Sequence, residues 1–158
     1  MQKGSFALDG VPLAHDFVLA GQYLVFFLPP VRLNALPVLL GLSSYSDNLE
    51  WKPQLGTQFL IFDRETLTLV SRGETEPWYQ WHFANSYVDP SGTIIVDLVR
   101  YEDFQTNQHL KEVATGQTHT PAPSSLSQVH LNPKLGKVTA IESVLDQDCE
   151  FPVVLPHL

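Results

Sequence analysis

Two histidines lie in apolar surroundings, where an imidazole needs either a hydrogen-bond partner or a metal ion. His15 lies in the run Ala-His-Asp-Phe at residues 14–17, and His82 lies in Trp-His-Phe-Ala at residues 81–84. One such residue is most often a core side chain bonded to a neighbouring carbonyl. A pair of them, each near a carboxylate or amide, leaves open the alternative that both bind one metal ion.

Glu150 is the third residue whose setting could serve such chemistry. It stands between Cys149 and the pair Phe151-Pro152. A carboxylate in apolar surroundings can accept the free N–H of a metal-bound imidazole, which fixes the ring tautomer and strengthens the ligand. The bland alternative is an exposed carboxylate in a turn beside a proline.

The remaining histidines carry weaker signals. His109 and His119 lie in a polar stretch and are expected to be exposed, whereas His130 lies in a predicted strand and is expected to be structural. His157 lies one residue from the end. The sequence contains no H-E-x-x-H, no glycine-rich phosphate loop and no G-x-S-x-G elbow, so zinc peptidase, nucleotide-binding and serine hydrolase classes have no support.

Short β-rich runs separated by turn residues predict an all-β fold of serial antiparallel hairpins. The predicted strands are residues 13–20, 23–28, 58–62, 67–70, 79–88, 93–101, 126–131, 137–144 and 151–155. Such a set makes about two four-stranded blades, too few to close a propeller of the usual 4–8 blades. Two segments break the pattern: residues 32–51, apolar at first, and residues 105–125, predicted to be a polar surface loop with a short helix.

The composition excludes several classes of protein. The net charge is −8 and the basic residues form no cluster, so no nucleic-acid partner is expected. The single cysteine excludes an internal disulfide framework and fits a reducing compartment, here taken as the cytoplasm. No signal-peptide pattern is visible, and no apolar run reaches the ~18 residues of a membrane-spanning helix.

Three motifs together resemble the carotenoid cleavage oxygenase family, which includes apocarotenoid oxygenases and the retinal pigment epithelium isomerase. His15-Asp16-Phe17 resembles the family's H-D-F segment, residues 82–87 (HFANSY) resemble H-x-x-N-[AS]-[FY], and Glu150-Phe151-Pro152 resembles E-F-P. The motifs occur in the family's order, and the similarity runs from about residue 14 to residue 154. Many relatives have a second histidine where Trp81 stands, but that neighbour is not a ligand.

The resemblance implies a seven-bladed β-propeller that holds Fe(II) on its axis through four histidines. His15 and His82 would be two of these ligands, and Glu150 would accept a hydrogen bond from a ligand, with His82 the first choice. Their Nε2 atoms should then lie within about 3–4 Å of each other, because both nitrogens would lie ~2.1 Å from one ion. The family's other two ligands lie upstream and downstream of these motifs, so residues 1–158 would form a partial propeller domain with little activity alone.

The resemblance also implies the partners. These are O2 and a carotenoid or apocarotenoid, cleaved at a C=C bond to two carbonyl products in an apolar tunnel. Phe17, Trp81, Phe83 and Tyr87 are close enough in sequence to line it, although strand alternation turns about half of them away.

An uncharged apolar stretch, residues 33–42, suggests a further contact. It is either a loop or short helix packed on the protein, or a patch formed by Leu36, Leu39 and Leu40 that touches a membrane and collects the insoluble substrate. The latter makes the protein a peripheral membrane protein.

Two alternative functions stay open at this point. The chain could be a propeller or sandwich binding module without metal, in which the histidines are structural. It could also be a family member that isomerises or binds a polyene without cleaving it.

Overall fold

The all-β prediction is confirmed by the computed structural model, which describes residues 4–154. Leu155 and His157 lie outside the described residues. Within residues 4–154, ten strands form two four-stranded antiparallel sheets and a two-stranded ribbon. The strands are β1 (Val18–Ala20), β2 (Tyr23–Leu28), β3 (Val31–Leu33), β4 (Leu49–Trp51), β5 (Thr57–Asp63), β6 (Leu69–Thr75), β7 (Phe83–Val88), β8 (Ile94–Tyr101), β9 (Ser124–Asn132) and β10 (Lys137–Leu145). The same described stretch contains the α-helices α1 (Ala35–Leu39) and α2 (Gln105–Val113).

The two large sheets pack against each other through apolar faces. The first has the order β1-β2-β5-β6 and the second the order β10-β9-β8-β7. Alternation along β2 turns Val25 and Phe27 towards the second sheet, where both are fully buried. Ile94, Val96 and Leu98 of β8 meet them from the other side. The shared core therefore lies between the sheets, as between neighbouring propeller blades.

The edge strands β1 and β7 lie side by side where the two sheets meet. The Ser86 hydroxyl donates to the carbonyl of Leu19 at 2.8 Å, and Gly21 lies directly against the side chain of Val88. Both pairs are 67 positions apart in sequence. The same offset relates His15 to His82, so the contact between these two edge strands brings the two predicted histidines together.

The first predicted strand, residues 13–20, is wrong in its first half, since β1 contains only Val18–Ala20. Leu13 instead donates its N–H to the carbonyl of Val31, which joins this stretch to the ribbon. The Asp16 carboxylate accepts the N–H of Phe17, and such a local bond competes with strand pairing. His15 therefore lies in an irregular, exposed segment and not inside a buried strand.

The predicted strand 79–88 is also shorter than expected. Tyr79 makes an isolated bridge to Tyr101, and β7 begins only at Phe83. A register shift follows between Phe83 and Ser86. Trp81 and His82 thus fall outside the strand ladder, which leaves both side chains free to face a cleft beside the sheets.

Two other regions differ from the sequence-based expectation. The predicted last strand is absent over residues 151–154, where Phe151 adopts a left-handed φ of 54°. Residues 105–113 form the expected short helix, but His109 is half-buried and not exposed. His119 is exposed and His130 is a half-buried strand residue bonded to Gln128, as expected.

Gly73 lies where the first sheet packs against the β9–β10 turn of the second sheet, with no room for a side chain. A Cβ at Gly73 of β6 would collide with the Phe59 ring and with the carbonyl of Gly136 in the β9–β10 turn. We expect Gly73→Ala to lower the free energy of unfolding by about 2 kcal/mol, since overpacking strains both neighbours. Chemical denaturation measures the change. Gly4→Ala is the control because its added methyl meets only ordinary contacts with Leu67, and an equal loss in both variants would contradict the packing described here.

Candidate functional site

The imidazole rings of His15 and His82 lie next to each other. Their centres are 5.4 Å apart and their planes are inclined by 81°. Two imidazoles that share one ion at a nitrogen distance of about 2.1 Å place their ring centres about 5 Å apart. The pair therefore has a spacing that suits a common ligand. The separation of the Nε2 atoms stays a prediction.

The Glu150 carboxylate organises the His82 side of the pair. His82 Nδ1–H donates to Oε2 at 2.8 Å, as the sequence analysis anticipated, although Glu150 is half-buried and not fully buried. This bond occupies Nδ1 and leaves Nε2 as the nitrogen with a lone pair for a ligand. By contrast, His15 makes no hydrogen bond within residues 4–154, so neither of its nitrogens is committed.

Tyr101 is a functional neighbour that the sequence analysis missed. Its hydroxyl, at the end of β8, donates to Glu150 Oε1 at 2.8 Å. The N–H of Phe151 donates to the other oxygen, also at 2.8 Å. Burial, and then the bond to Glu150 and its charge, raises the pKa of Tyr101 well above its usual range. The phenol consequently stays protonated and keeps donating to the carboxylate at any physiological pH.

A cleft of about 860 Å³ opens beside the two histidines. Trp81 forms part of its wall, with its indole edge-on to His15 at 5.1 Å and its Nε1–H donated to the Thr106 hydroxyl. The adjoining wall comes from α2 and from the chain that returns after it. The lining residues are His15, Trp81, His82, Tyr101, Thr106, His109, Leu110, Val113, Pro121, Ala122, Pro123, Ser124, Asp148, Cys149, Glu150 and Phe151.

Only one of the four side chains predicted to line a tunnel reaches this cleft. Trp81 lines it, whereas Phe83 packs on Phe27 against the core between the sheets. Phe17 packs on Phe26 at 5.6 Å, and Tyr87 is exposed. Alternation alone does not account for this result, because Phe17 precedes β1 and because a register shift between Phe83 and Ser86 interrupts the alternation along β7.

The helical wall of the cleft follows a pattern that could have been found in the sequence. Thr106, His109, Leu110 and Val113 follow the i, i+3, i+4, i+7 spacing of one helix face, and all four line the cleft. The polar composition of the surrounding stretch hid this face. Tyr101, in contrast, had no signal, because nothing in the sequence links β8 to Glu150.

Glu112 fastens the returning chain to α2. Its carboxylate accepts the N–H groups of His119 and Thr120, the Thr120 hydroxyl and the Gln108 amide, at 2.6–3.0 Å. These donors lower the pKa of Glu112 to about 2, with the His119 N–H contributing most. Because the folded pKa lies below the unfolded value, this contribution to stability is present at neutral pH and is lost only as the pH falls towards 2.

The family resemblance implies an iron ion, and part of the donor set for it is present. His15 and His82 offer uncommitted imidazole nitrogens, the kind of ligand that suits iron. Among residues 4–154, no group of three histidine, cysteine or carboxylate side chains lies close enough to hold one metal ion. The two histidines therefore fit as part of an imidazole site, and the described residues supply no third ligand.

The apolar stretch around α1 is exposed. Leu36, Leu39 and Leu40 are 65%, 81% and 63% accessible, so the alternative in which this segment packs on the protein is wrong for these side chains. The loop that follows is tied to α2 by Ser46 with Asn107 at 2.9 Å and by Lys111 with Asp47 at 2.5 Å. No helix within the described part of the chain is long and apolar enough to cross a membrane.

Comparison with known families agrees with the resemblance in the motifs. The model of the retinal pigment epithelial membrane protein family matches residues 1–158. The apocarotenoid-15,15'-oxygenase of Synechocystis is 25% identical over 157 residues, which are 99% of this chain and 31% of that protein. The human mitochondrial carotenoid-cleaving dioxygenase is 28% identical over 120 residues, 73% of this chain and 20% of that protein. The chain thus spans less than a third of these relatives.

Solved structures show the same fold. Cobalt-substituted Synechocystis ACO superposes with a TM-score of 0.76 at 25% identity, covering 93% of this chain and 30% of that one. An ACO/RPE65 chimera superposes with a TM-score of 0.73 at 25% identity, covering 92% and 30%. These structures are seven-bladed β-propellers, so the two large sheets correspond to two neighbouring blades, and the predicted fold class is confirmed.

The hydrogen bond from Tyr101 to Glu150 gives a prediction in the chain itself. We expect Tyr101→Phe to lower the free energy of unfolding by about 2 kcal/mol, the usual loss for a bond to a charged group. The difference from the unmodified chain should shrink above about pH 10. There the unfolded tyrosine ionises while the folded one, with its raised pKa, does not, so the stabilising contribution declines.

The measurement is urea denaturation at pH 7 and at pH 10.5. Tyr79→Phe is the matched control, since Tyr79 is equally buried but its hydroxyl has no hydrogen-bond partner within residues 4–154. Removing that hydroxyl should be close to neutral. Equal losses in the two variants would show that the bond to Glu150 contributes nothing beyond the packing of the ring.

Proposed function

The chain belongs to the retinal pigment epithelial membrane protein family of carotenoid oxygenases, and from this we propose that it forms part of an Fe(II)-dependent dioxygenase. The protein would cleave a C=C bond of a carotenoid or apocarotenoid with O2, giving two carbonyl products. The observation that carries the proposal is the adjacent pair His15 and His82 at the end of an apolar cleft, with His82 oriented by Glu150.

Each residue has a definite task in this proposal. His15 and His82 would hold the metal as neutral imidazoles, His82 through Nε2 because its Nδ1 is committed to Glu150. Fe(II) in such a site would supply the activation of O2 that a conjugated double bond needs. Glu150 keeps the His82 ring in one orientation and one tautomer, and Tyr101 keeps the carboxylate in place.

The cleft walls would hold the polyene by apolar contact. Leu110, Val113, Pro121, Ala122 and Trp81 present aliphatic and aromatic surface, which suits a long hydrocarbon chain. The volume of about 860 Å³ is in the range of sites that take ligands of drug size. Water has few partners on these walls, so the polyene would bind in a largely dry environment.

A second candidate function is isomerisation linked to oxygenation. The carotenoid isomerooxygenase of Galleria mellonella is 28% identical over 92 residues, 56% of this chain and 18% of that protein. Analysis of the geometry of the products from a labelled all-trans polyene distinguishes the two reactions. A third alternative, a binding module without metal, predicts no bound iron.

The proposal is tested in a chimera in which this chain replaces the matching part of the Synechocystis apocarotenoid oxygenase. We expect the chimera to bind iron and cleave an apocarotenoid, and His82→Ala to abolish both. Glu150→Gln should weaken iron binding roughly 10–100-fold, the usual effect of losing a partner that orients a ligand. Elemental analysis gives the iron content and chromatography gives the products.

His119→Ala is the matched control, because this exposed imidazole does not line the cleft. It should leave iron content and product yield unchanged. A folded chimera that keeps its iron and its activity after His82→Ala would refute the assignment of the ligand, and a folded chimera that never binds iron would favour the metal-free binding module.

We also propose that Leu36, Leu39 and Leu40 form a peripheral membrane contact. Carotenoids are practically insoluble in water, so the protein must collect them from lipid. The three side chains are mostly exposed on one short helical segment, and burial of their apolar surface at roughly 25 cal/mol per Å² would supply several kcal/mol. Attachment of this strength is reversible.

Changing the three leucines to serine should reduce co-sedimentation of the chain with phospholipid vesicles at least about tenfold, since the apolar area that drives attachment is lost. Leu135→Ser is the control, an exposed leucine in the β9–β10 turn. Circular dichroism checks that each variant is folded. If the triple variant is folded and still sediments with vesicles, the membrane contact lies elsewhere.

A further inference from the structure

The polar groups that line the cleft are almost all committed to partners within the protein. Thr106 accepts the indole N–H of Trp81, and Tyr101 and Glu150 are bonded to each other. The Ser124 hydroxyl donates to the carbonyl of Cys149 and accepts the N–H of the same residue. Asp148 is exposed at the rim and accepts the N–H of Ser124. Each of these half-buried groups therefore already has at least one partner within the protein, and the carboxylate of Asp148 lies at the exposed rim.

His109 is different. It is half-buried on the cleft-facing side of α2, and its Nδ1 lies 2.8 Å from the carbonyl oxygen of Thr120. A carbonyl oxygen can only accept, so Nδ1 carries the proton and donates. In the neutral ring Nε2 is then a hydrogen-bond acceptor, and it has no partner within the described residues. The proposed function assigns His15 and His82 to the metal. Among the other described histidines, His109 lines the cleft with an imidazole nitrogen that has no partner.

His109 is not explained as a further metal ligand. Among residues 4–154, no three ligand-type side chains come together at one point, so His109 does not join the pair formed by His15 and His82. The hydrogen bond to Thr120 holds the ring, but it does not by itself explain why the imidazole lines the cleft. An acceptor with a fixed tautomer, in a cleft lined by Leu110, Val113 and the prolines of the chain that returns after α2, has the character of a specificity determinant.

We propose that His109 selects polyenes that carry a hydroxyl group at one end. The hydroxyl would donate to Nε2 while the hydrocarbon chain lies along the apolar walls towards His82. A polyene without a donor would leave Nε2 desolvated and unpaired, which is unfavourable. This inference rests on the proposed function only in taking a polyene as the ligand. It concerns the recognition of the substrate and not its cleavage, so it needs neither iron nor turnover.

The test is direct binding to the unmodified 158-residue chain, followed by quenching of tryptophan fluorescence. The probes are all-trans-retinol, its methyl ether, which has the oxygen but no donor, and the hydrocarbon in which hydrogen replaces the hydroxyl. We expect retinol to bind about three- to tenfold more tightly than the other two, as one neutral hydrogen bond allows. The ether and the hydrocarbon should bind alike.

His109→Leu should remove this preference by weakening retinol binding about three- to tenfold while leaving the affinity for the hydrocarbon unchanged. His109→Gln should restore part of the preference, because its amide can donate to Thr120 and still present an acceptor oxygen. His119→Leu is the matched control, an imidazole removed from the same region but outside the cleft, and it should bind all three probes like the unmodified chain. A role that is only structural would lower the affinity for every probe together.

The outcomes separate this inference from the proposed function. Binding of all three probes with equal affinity, or a preference for retinol that survives His109→Leu, would overturn the role of His109 and leave the proposed function standing. Failure of every probe to bind would overturn the polyene site itself, and the role of His109 with it.

Discussion

One carboxylate holds the candidate site together. Glu150 receives hydrogen bonds from His82, which precedes β7, from Tyr101 at the end of β8, and from its own neighbour Phe151. Backbone hydrogen bonds already place the His82 segment beside β8, through the Tyr79–Tyr101 bridge and the bond from the N–H of Val99 to the carbonyl of His82. Glu150 adds the contact that joins the chain after β10 to both of them. The left-handed backbone at Phe151 bends the chain so that its N–H reaches Glu150 Oε2. Non-glycine residues rarely adopt this conformation, and it is often retained where a site depends on it.

The packing of the two blades supplies the other half of the arrangement. β1 and β7 lie beside each other with an offset of 67 positions at two contacts, and the same offset relates His15, before β1, to His82, before β7. Both strands begin after the histidines, at Val18 and at Phe83. The two imidazoles therefore belong to irregular segments that lead directly into the two sheets. A hydrophobic core between the sheets thus fixes the spacing of two polar groups outside it. The ring planes are nearly perpendicular, which lets both rings approach one point without overlapping.

Features that depend on neighbouring residues in the sequence could be predicted, whereas features that depend on tertiary contacts could not. β2 was predicted to the residue, because its six residues are all apolar, Gly21-Gln22 precedes it as a turn, and Pro29-Pro30 stops it. The first part of the predicted strand 13–20 failed because its partner is the ribbon rather than β2, and no pattern in the sequence announces that exchange. His15, His82 and Glu150 were found through their motifs. Tyr101 and the cleft-facing His109 were missed because their importance comes from tertiary contacts.

The bonds that Glu112 makes with the chain after α2 restrict the movement of this part of the cleft wall. They join the turn at Thr120 to the helix, and His109 adds a second bond to the same residue. This wall of the cleft therefore keeps its shape before anything enters it, and the low pKa of Glu112 preserves these bonds well into the acidic range. A conjugated polyene is itself a stiff rod. When two stiff bodies associate, little conformational entropy is lost on either side. In the proposed complex, length and curvature would therefore matter to the apolar contact, and a polyene bent in the wrong place would fit the wall poorly.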